Sequence, residues 1–433
     1  MTRFSFLLLG LCCLVLATGC GSAGGPAAPG GEGGQDDQTG ASQRLKPSDL
    51  TYRGAFRLPE GSGGSNWEWS GDAMAYYPDG ESSGSADGYP GSIFGVGHDW
   101  QKHVSEISIP PPVISANKNV NDLNTAITLQ EFRDVRAGVG SLDALQEMPR
   151  VGMECLPPQG SQTSGKLYLS WGAHFQEEQE RVASHMWCDL DLSNSRGAWW
   201  IGNYSLYSVN DYMFEIPQAW AAANTPGIRL STGRFRDGGW GGQGPALFAC
   251  GPWNQGNPPA PDSVLQATPL LLYSSTATDE PPYHTVDNYH HADEWSGGAW
   301  VTGVNGTAVV FVGTKGTGGC WYGLPDGTVW PDEPPFPEDP LGERGWWSSG
   351  FVGQMIFYDP DDLAAVARGA MQPYEPQPYA TLDIDEHLYG VTAGQQKSHV
   401  AAACFDRTGG YLYLFEPRAD GDKCIVHVWA VGP

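Results

Sequence analysis

Carboxylates, imidazoles and indoles collect at the ends of short apolar runs in this 433-residue chain. Runs open with Trp69 and Asp72 in WEWSGDAM, Glu154 in VGMEC and Gln243 in GGQGPAL. Others open with His290, His291, Asp293, Glu294 and Trp295 in YHHADEWSGG, and with His399 in KSHVAAA. The runs that follow close with His98, Asp99 and Trp100, then with His174, Lys315 and Glu416. Two of Asp72, Glu154 and Glu294 would supply the general acid and base of a glycosidic hydrolysis. One of His98, His174 and His399, acting with Lys315, would instead abstract a proton and neutralise a uronate, the chemistry of an elimination. The indoles of Trp69, Trp100, Trp253 and Trp295 suit the apolar faces of sugar rings, and Gln243 offers an amide beside them. His290 and His291, with Asp287 and Asp293 nearby, are candidate metal ligands, so a structural or catalytic ion is an open cofactor reading. Neighbouring strand residues point to opposite faces, so both imidazoles would reach one ion only from a loop.

These residues share a surface only if the apolar runs are strands of repeated antiparallel sheets, because the start of one strand and the end of its neighbour then lie at the same edge. The stretch from Gly71 to Val113 holds one such unit, GDAMAYYPDG, GSIFGVGHDW and HVSEISIPPPV. It is echoed by VGMECLPPQG with GKLYLSWGAHF, and by HVAAACFDRTGG with YLYLFEP. A small antiparallel sheet repeated every roughly 40 to 70 residues resembles the β-propeller superfamily. The resemblance implies an all-β propeller of four-stranded antiparallel blades: five on this reading, six or seven if the irregular middle hides more. A two-sheet sandwich or a β-helix is the competing arrangement.

The blades are placed at about 52–113, 127–222, 229–275, 283–371 and 379–431. The second takes in Tyr212 to Ile216 and an extra hairpin around 187–201, the third lacks a strand, and the fifth opens with YATLDID. The opening run Tyr52 to Leu58 could complete the last blade instead of the first, a closure that removes free sheet edges. Two short helices are expected, at Pro217 to Ala223 and at Pro360 to Arg368, the second with Asp359 as N-cap and Gly369 past its end. The 59 Gly and 34 Pro, with only 17% charged residues, fit many short strands joined by tight turns.

The first 20 residues read as an address. Arg3 precedes an apolar run from Phe4 to Ala17, and the small residues Ala17, Thr18 and Gly19 precede Cys20. This resembles the signal peptide and lipobox of bacterial lipoproteins, with Ala17 where Leu is commoner. The resemblance implies export, a lipid on Cys20, and an outer-membrane or cell-surface location. Residues 21–46 are rich in Gly, Pro and Ala without apolar periodicity and form a flexible tether; residues 47–433 form a single propeller domain. The tether's roughly 25 residues would hold that domain on the order of 25 to 30 Å from the lipid.

A net charge of −26 excludes nucleic acid as a natural partner and leaves the N-terminal lipid as the only expected membrane contact. Six cysteines remain after Cys12, Cys13 and Cys20: Cys155, Cys188, Cys250, Cys320, Cys404 and Cys424. In an oxidising compartment they suggest up to three disulfides. Cys155 and Cys188, however, fall about 10 Å apart if they sit two strands apart in one sheet, too far for a direct bridge. The expected function is carbohydrate recognition at one mouth of the ring by a monomeric exported protein, with or without cleavage as a hydrolase or lyase. The alternative is a non-enzymatic scaffold for a protein or glycan partner.

Overall fold

Apolar runs such as LFAC, AVVFV and YLYLF are continuous, without the polar alternation of a half-exposed sheet, because each is covered on both faces. A computed structural model describes residues 43–432, apart from 82–86, 141, 143–147, 174–181, 205–208, 239–241, 253–255, 277–278 and 392–395. It is a five-bladed β-propeller.

The strand β1 (Leu50–Arg57) precedes the first complete blade, which is β2 (Met74–Tyr77), β3 (Ser92–Val96), β4 (Val104–Ser108) and β5 (Thr128–Arg133). Blade II is β6 (Arg150–Leu156), β7 (Lys166–Gly172), β8 (His185–Asp189) and β9 (Arg196–Ile201). Blade III is β10 (Tyr212–Glu215), β11 (Leu230–Arg234), β12 (Ala246–Cys250) and β14 (Ala267–Leu271); the intervening β13 (Val264–Leu265) joins the edge of blade II beside β9. Blade IV is β15 (Glu294–Gly303), β16 (Gly306–Gly323), β17 (Gly345–Tyr358) and β18 (Ala380–Asp383). Blade V is β19 (Ala403–Asp406), β20 (Tyr411–Asp420) and β21 (Lys423–Val431), completed by β1. The innermost strands β2, β6, β10, β15 and β19 adjoin in that order and close a ring.

Alternate side chains of each middle strand pack against opposite neighbours. Leu167, Leu169 and Trp171 of β7 meet Phe94 and Val96 of blade I, whereas Tyr168 turns to Met213 and Phe248 of blade III. Val310 and Val312 of β16 meet Leu412 and Leu414 of blade V, whereas Phe311 meets Phe214 and Leu247 of blade III. Each such fully buried side chain contributes about 1.5 to 3 kcal/mol. Glycine lets the innermost strands approach: a Cβ on Gly297 would lie 2.6 Å from the Ala403 nitrogen, and one on Gly152 would lie 2.7 Å from the Tyr212 carbonyl carbon. The central channel narrows to about 10 Å³ among these strands, room for about one water at most, so no ligand-sized passage joins the two mouths.

One alternative that the sequence left open is decided, and three details differ. The opening strand belongs to blade V, pairing Leu50 with Val431 through Arg57 with Ile425. The YMFE strand is the innermost strand of blade III, not part of blade II, and the hairpin at 187–201 supplies the outer half of blade II. ATLD closes blade IV. The six cysteines are free, which overturns the disulfide expectation. Cys155 and Cys188 both align with Leu167, one on each side, and so stand two strands apart, about 10 Å. The helices occupy Gln218–Asn224 and Pro360–Ala367, and Asp359 caps the second by accepting from the Asp361 amide at 2.9 Å. Among the described residues no helix is long and apolar enough to cross a membrane. The lipobox, Cys20 and most of the tether lie outside the described residues.

Candidate functional site

One mouth is built from the starts of the innermost strands and the ends of their neighbours. On it, β16 and β17 run past the rest of blade IV as a projecting hairpin in which Trp321 pairs with Trp347 and Tyr322 with Trp346. Such aromatic cross-strand pairs stabilise a hairpin that has no further strand beside it. The hairpin walls a cleft of about 740 Å³, large enough for several sugar rings or a small ligand. Its floor comes from the turn before β15 and the turn after β11, and Lys397 enters from the segment before β19.

Within the cleft, His291 stacks on Trp346 with ring centroids 4.2 Å apart and planes at 17°. Its Nδ1 is 2.6 Å from the Asp237 carboxylate, which leaves Nε2 as the nitrogen free to exchange a proton with a ligand. Arg236 donates to Glu294 at 3.1 Å, and Lys397 lies 4.0 Å from the centre of the Trp347 ring. Burial alone would raise the Glu294 carboxyl; Arg236, Lys397 and Arg150 outweigh it and hold the group below its ordinary value. Burial pushes the Lys397 ammonium down, with Glu294 opposing and Arg236 reinforcing the shift. Arg150, Arg234 and Arg236 all pack on Phe235, their guanidinium carbons 5.0, 5.2 and 4.8 Å from its ring centre. Arg344 adds a further cation at the rim. Along the cleft lining Arg236, Arg344 and Lys397 stand against Asp237, Glu294 and Glu343, which leaves the cleft near neutral in a chain with 49 acidic and 23 basic residues, and so less repulsive to an anion than the rest of the surface.

The residues flagged by sequence distribute unevenly. Glu294 lines the cleft, and so does His291, named above only as a metal ligand. His290 turns to Ser348 Oγ at 3.2 Å while His291 turns to Asp237, so the adjacent imidazoles diverge. No group of three or more potential metal ligands converges among the described residues. Asp72 is buried against Lys102, with Arg150 at 3.8 Å; burial raises its carboxyl, and Lys102 and Arg150 draw it back. Lys315 is held 2.9 Å from Asp293, and His399 is 1% exposed with Nδ1 2.8 Å from Asp385. Trp295 and Gln243 are buried, and Trp69 is half exposed beneath Arg418. His98 and Trp100 line a separate open hollow of about 440 Å³. His174 and Trp253 lie outside the described residues.

Glu154 does not share this mouth. Strand β6 starts at Arg150, four residues before it, so the carboxyl stands about 13 Å further along and opens on the opposite mouth. Glu154 therefore faces no substrate in common with Glu294. Sequence reasoning missed Arg236, Asp237, Tyr322, Trp346, Trp347 and Lys397. They lie on loops and a hairpin far apart in the chain, although the doublet Trp346–Trp347 opening an apolar run was a visible signal.

No family model matches the chain, and no curated protein is found to resemble it.

Proposed function

We propose that this propeller is exported, anchored through a lipid on Cys20, and binds an acidic polysaccharide in the blade IV cleft, which it cleaves by elimination. The observation that carries the reading is the convergence on one cleft of an aromatic wall, Trp346, Trp347 and Tyr322, with Arg236, Arg344 and Lys397 and a His291–Asp237 pair. Indole faces suit the apolar faces of sugar rings, and the cations match a uronate carboxylate.

In the step proposed, Lys397 and Arg236 neutralise the carboxylate and so acidify the adjacent C5–H. His291 Nε2 takes that proton while Asp237 stabilises the imidazolium. The freed electron pair forms the C4–C5 double bond, the C4–O bond breaks, and the departing oxygen takes a proton from the Tyr322 hydroxyl. Water then returns the proton from His291 to Tyr322. Hydrolysis is less well supported, because Arg236 holds Glu294 ionised and so unsuited to act as the general acid.

The test is a panel of uronate-containing and neutral polysaccharides, read for binding and for ultraviolet absorbance of unsaturated ends, with wild type and His291→Gln. The reading requires unsaturated ends from a uronate polymer that disappear in the variant while binding persists. Binding without release, unchanged in the variant, would return the protein to the scaffold class.

A further inference from the structure

The opposite mouth carries a second cavity, of about 300 Å³, formed where the innermost strands of blades I, II, III and V end. Its walls are the rings of Tyr76, Tyr77 and Phe405 with Pro157 and Pro158, and its polar groups are Asp79, Glu154, Glu215 and Arg407. The narrow central channel separates it from the cleft.

The carboxylates are not equivalent. Glu215 is matched twice, by Arg229 and by Arg407, whose Nε lies 3.0 Å from it. Glu154 accepts only backbone N–H groups, from Cys155 and Glu215, each at 3.1 Å; among the described residues no Lys or Arg reaches ion-pair distance of it. The other titratable groups around it are Tyr76 and Tyr77 on β2, Asp79 after it, Cys155 on its own strand, and Cys404 on β19. With Asp79 counted, the acidic groups outnumber the two guanidinium groups by one when Glu154 is ionised. Aromatic faces beside an unmatched carboxylate recognise an organic cation: the ring quadrupoles attract the charge and the walls cover its apolar body.

We propose that this pocket binds a small organic amine, its ammonium on Glu154 and its apolar body between Tyr77 and Phe405. Binding is linked to proton release. Burial, reinforced by Glu215 and opposed by Arg407, raises the free Glu154 carboxyl to about 8. A bound ammonium favours the ionised form, so a proton leaves Glu154 as the amine enters at neutral pH.

Isothermal titration of the domain from residue 43 with benzylamine, benzyl alcohol and benzoate tests this. Benzylamine is expected to bind best, with affinity rising roughly tenfold or more between about pH 6 and pH 8, and with proton release seen as a buffer-dependent heat near pH 7. Glu154→Gln is expected to remove the amine preference and the buffer dependence while leaving benzyl alcohol unchanged. Tyr77→Leu should weaken benzylamine but keep the proton release, which covers the case of a misfolded Glu154 variant. Equal binding of the amine and the alcohol, preference for benzoate, or full amine affinity in Glu154→Gln would overturn the proposal.

Discussion

Replacing Glu154 with Gln should make the protein more stable at alkaline pH and leave it nearly unchanged in acid. The carboxyl ionises near its ordinary value of 4.5 in the unfolded chain and near 8 in the fold, where burial beside Glu215 outweighs the attraction of Arg407. Between those limits the folded state binds the extra proton. The stability associated with neutral Glu154 is fully present below about pH 4.5 and is lost as pH rises through about 8. One pH unit of displacement is worth about 1.4 kcal/mol, which bounds the loss at about 5 kcal/mol. Water at the pocket opening screens the charge and reduces the expected loss to roughly 2 kcal/mol. Gln keeps the shape and carries no charge, so the variant should match wild type near pH 4.5 and exceed it by roughly 2 kcal/mol near pH 9. Denaturant unfolding at several pH values, on the domain from residue 43, measures this directly. Parallel stability curves for the two proteins would refute the burial argument, as would a variant that loses ground in alkali.

Other outcomes follow from the same geometry. Trp346→Ala removes both the sugar-facing indole and the stack that holds His291, and should weaken polysaccharide binding roughly tenfold, about 1.4 kcal/mol, in an equilibrium titration. Asp72→Asn leaves the 2%-exposed Lys102 with Asp99 as its remaining carboxylate partner, and should cost about 2 to 3 kcal/mol of stability while cleft affinity stays constant. Thiol titration of the domain from residue 43 should find one fast-reacting cysteine, the exposed Cys320, in the native protein and six after unfolding without reductant; fewer than six would reveal a disulfide.

The blades were legible because both faces of their middle strands are buried, which writes them as unbroken apolar runs such as AVVFV and YLYLF. Blade membership was harder to read. The innermost strand Tyr212–Glu215 has only four residues, all buried, and it follows a hairpin long enough to pass for the end of its own unit. Which sheet it joins is decided by hydrogen bonds to β11, and local pattern does not record that. The Ala380–Asp383 strand was misassigned for the same reason. At the site, polar residues flanking strands were visible, but which of them are locked by an ion pair was not. Asp72 and Lys102 are 30 residues apart in sequence, and Asp293 and Lys315 are 22 apart. The cleft itself comes from the length of one hairpin, whose outer part continues past the sheet as cross-strand aromatic pairs that resemble ordinary loop residues in sequence. Glu154 reads in sequence as a strand start but lies four residues into β6, and at about 3.3 Å per residue that distance traverses most of a short blade and carries it to the opposite mouth.

The most direct measurement is the binding of a uronate oligosaccharide and of its carboxyl-reduced, neutral counterpart to the same domain, each titrated at low and high salt. The account predicts that the acidic sugar binds, that its affinity falls as salt screens Arg236, Arg344 and Lys397, and that the neutral sugar binds at least roughly tenfold more weakly. Equal affinity for the two sugars, or no binding of either, would contradict it.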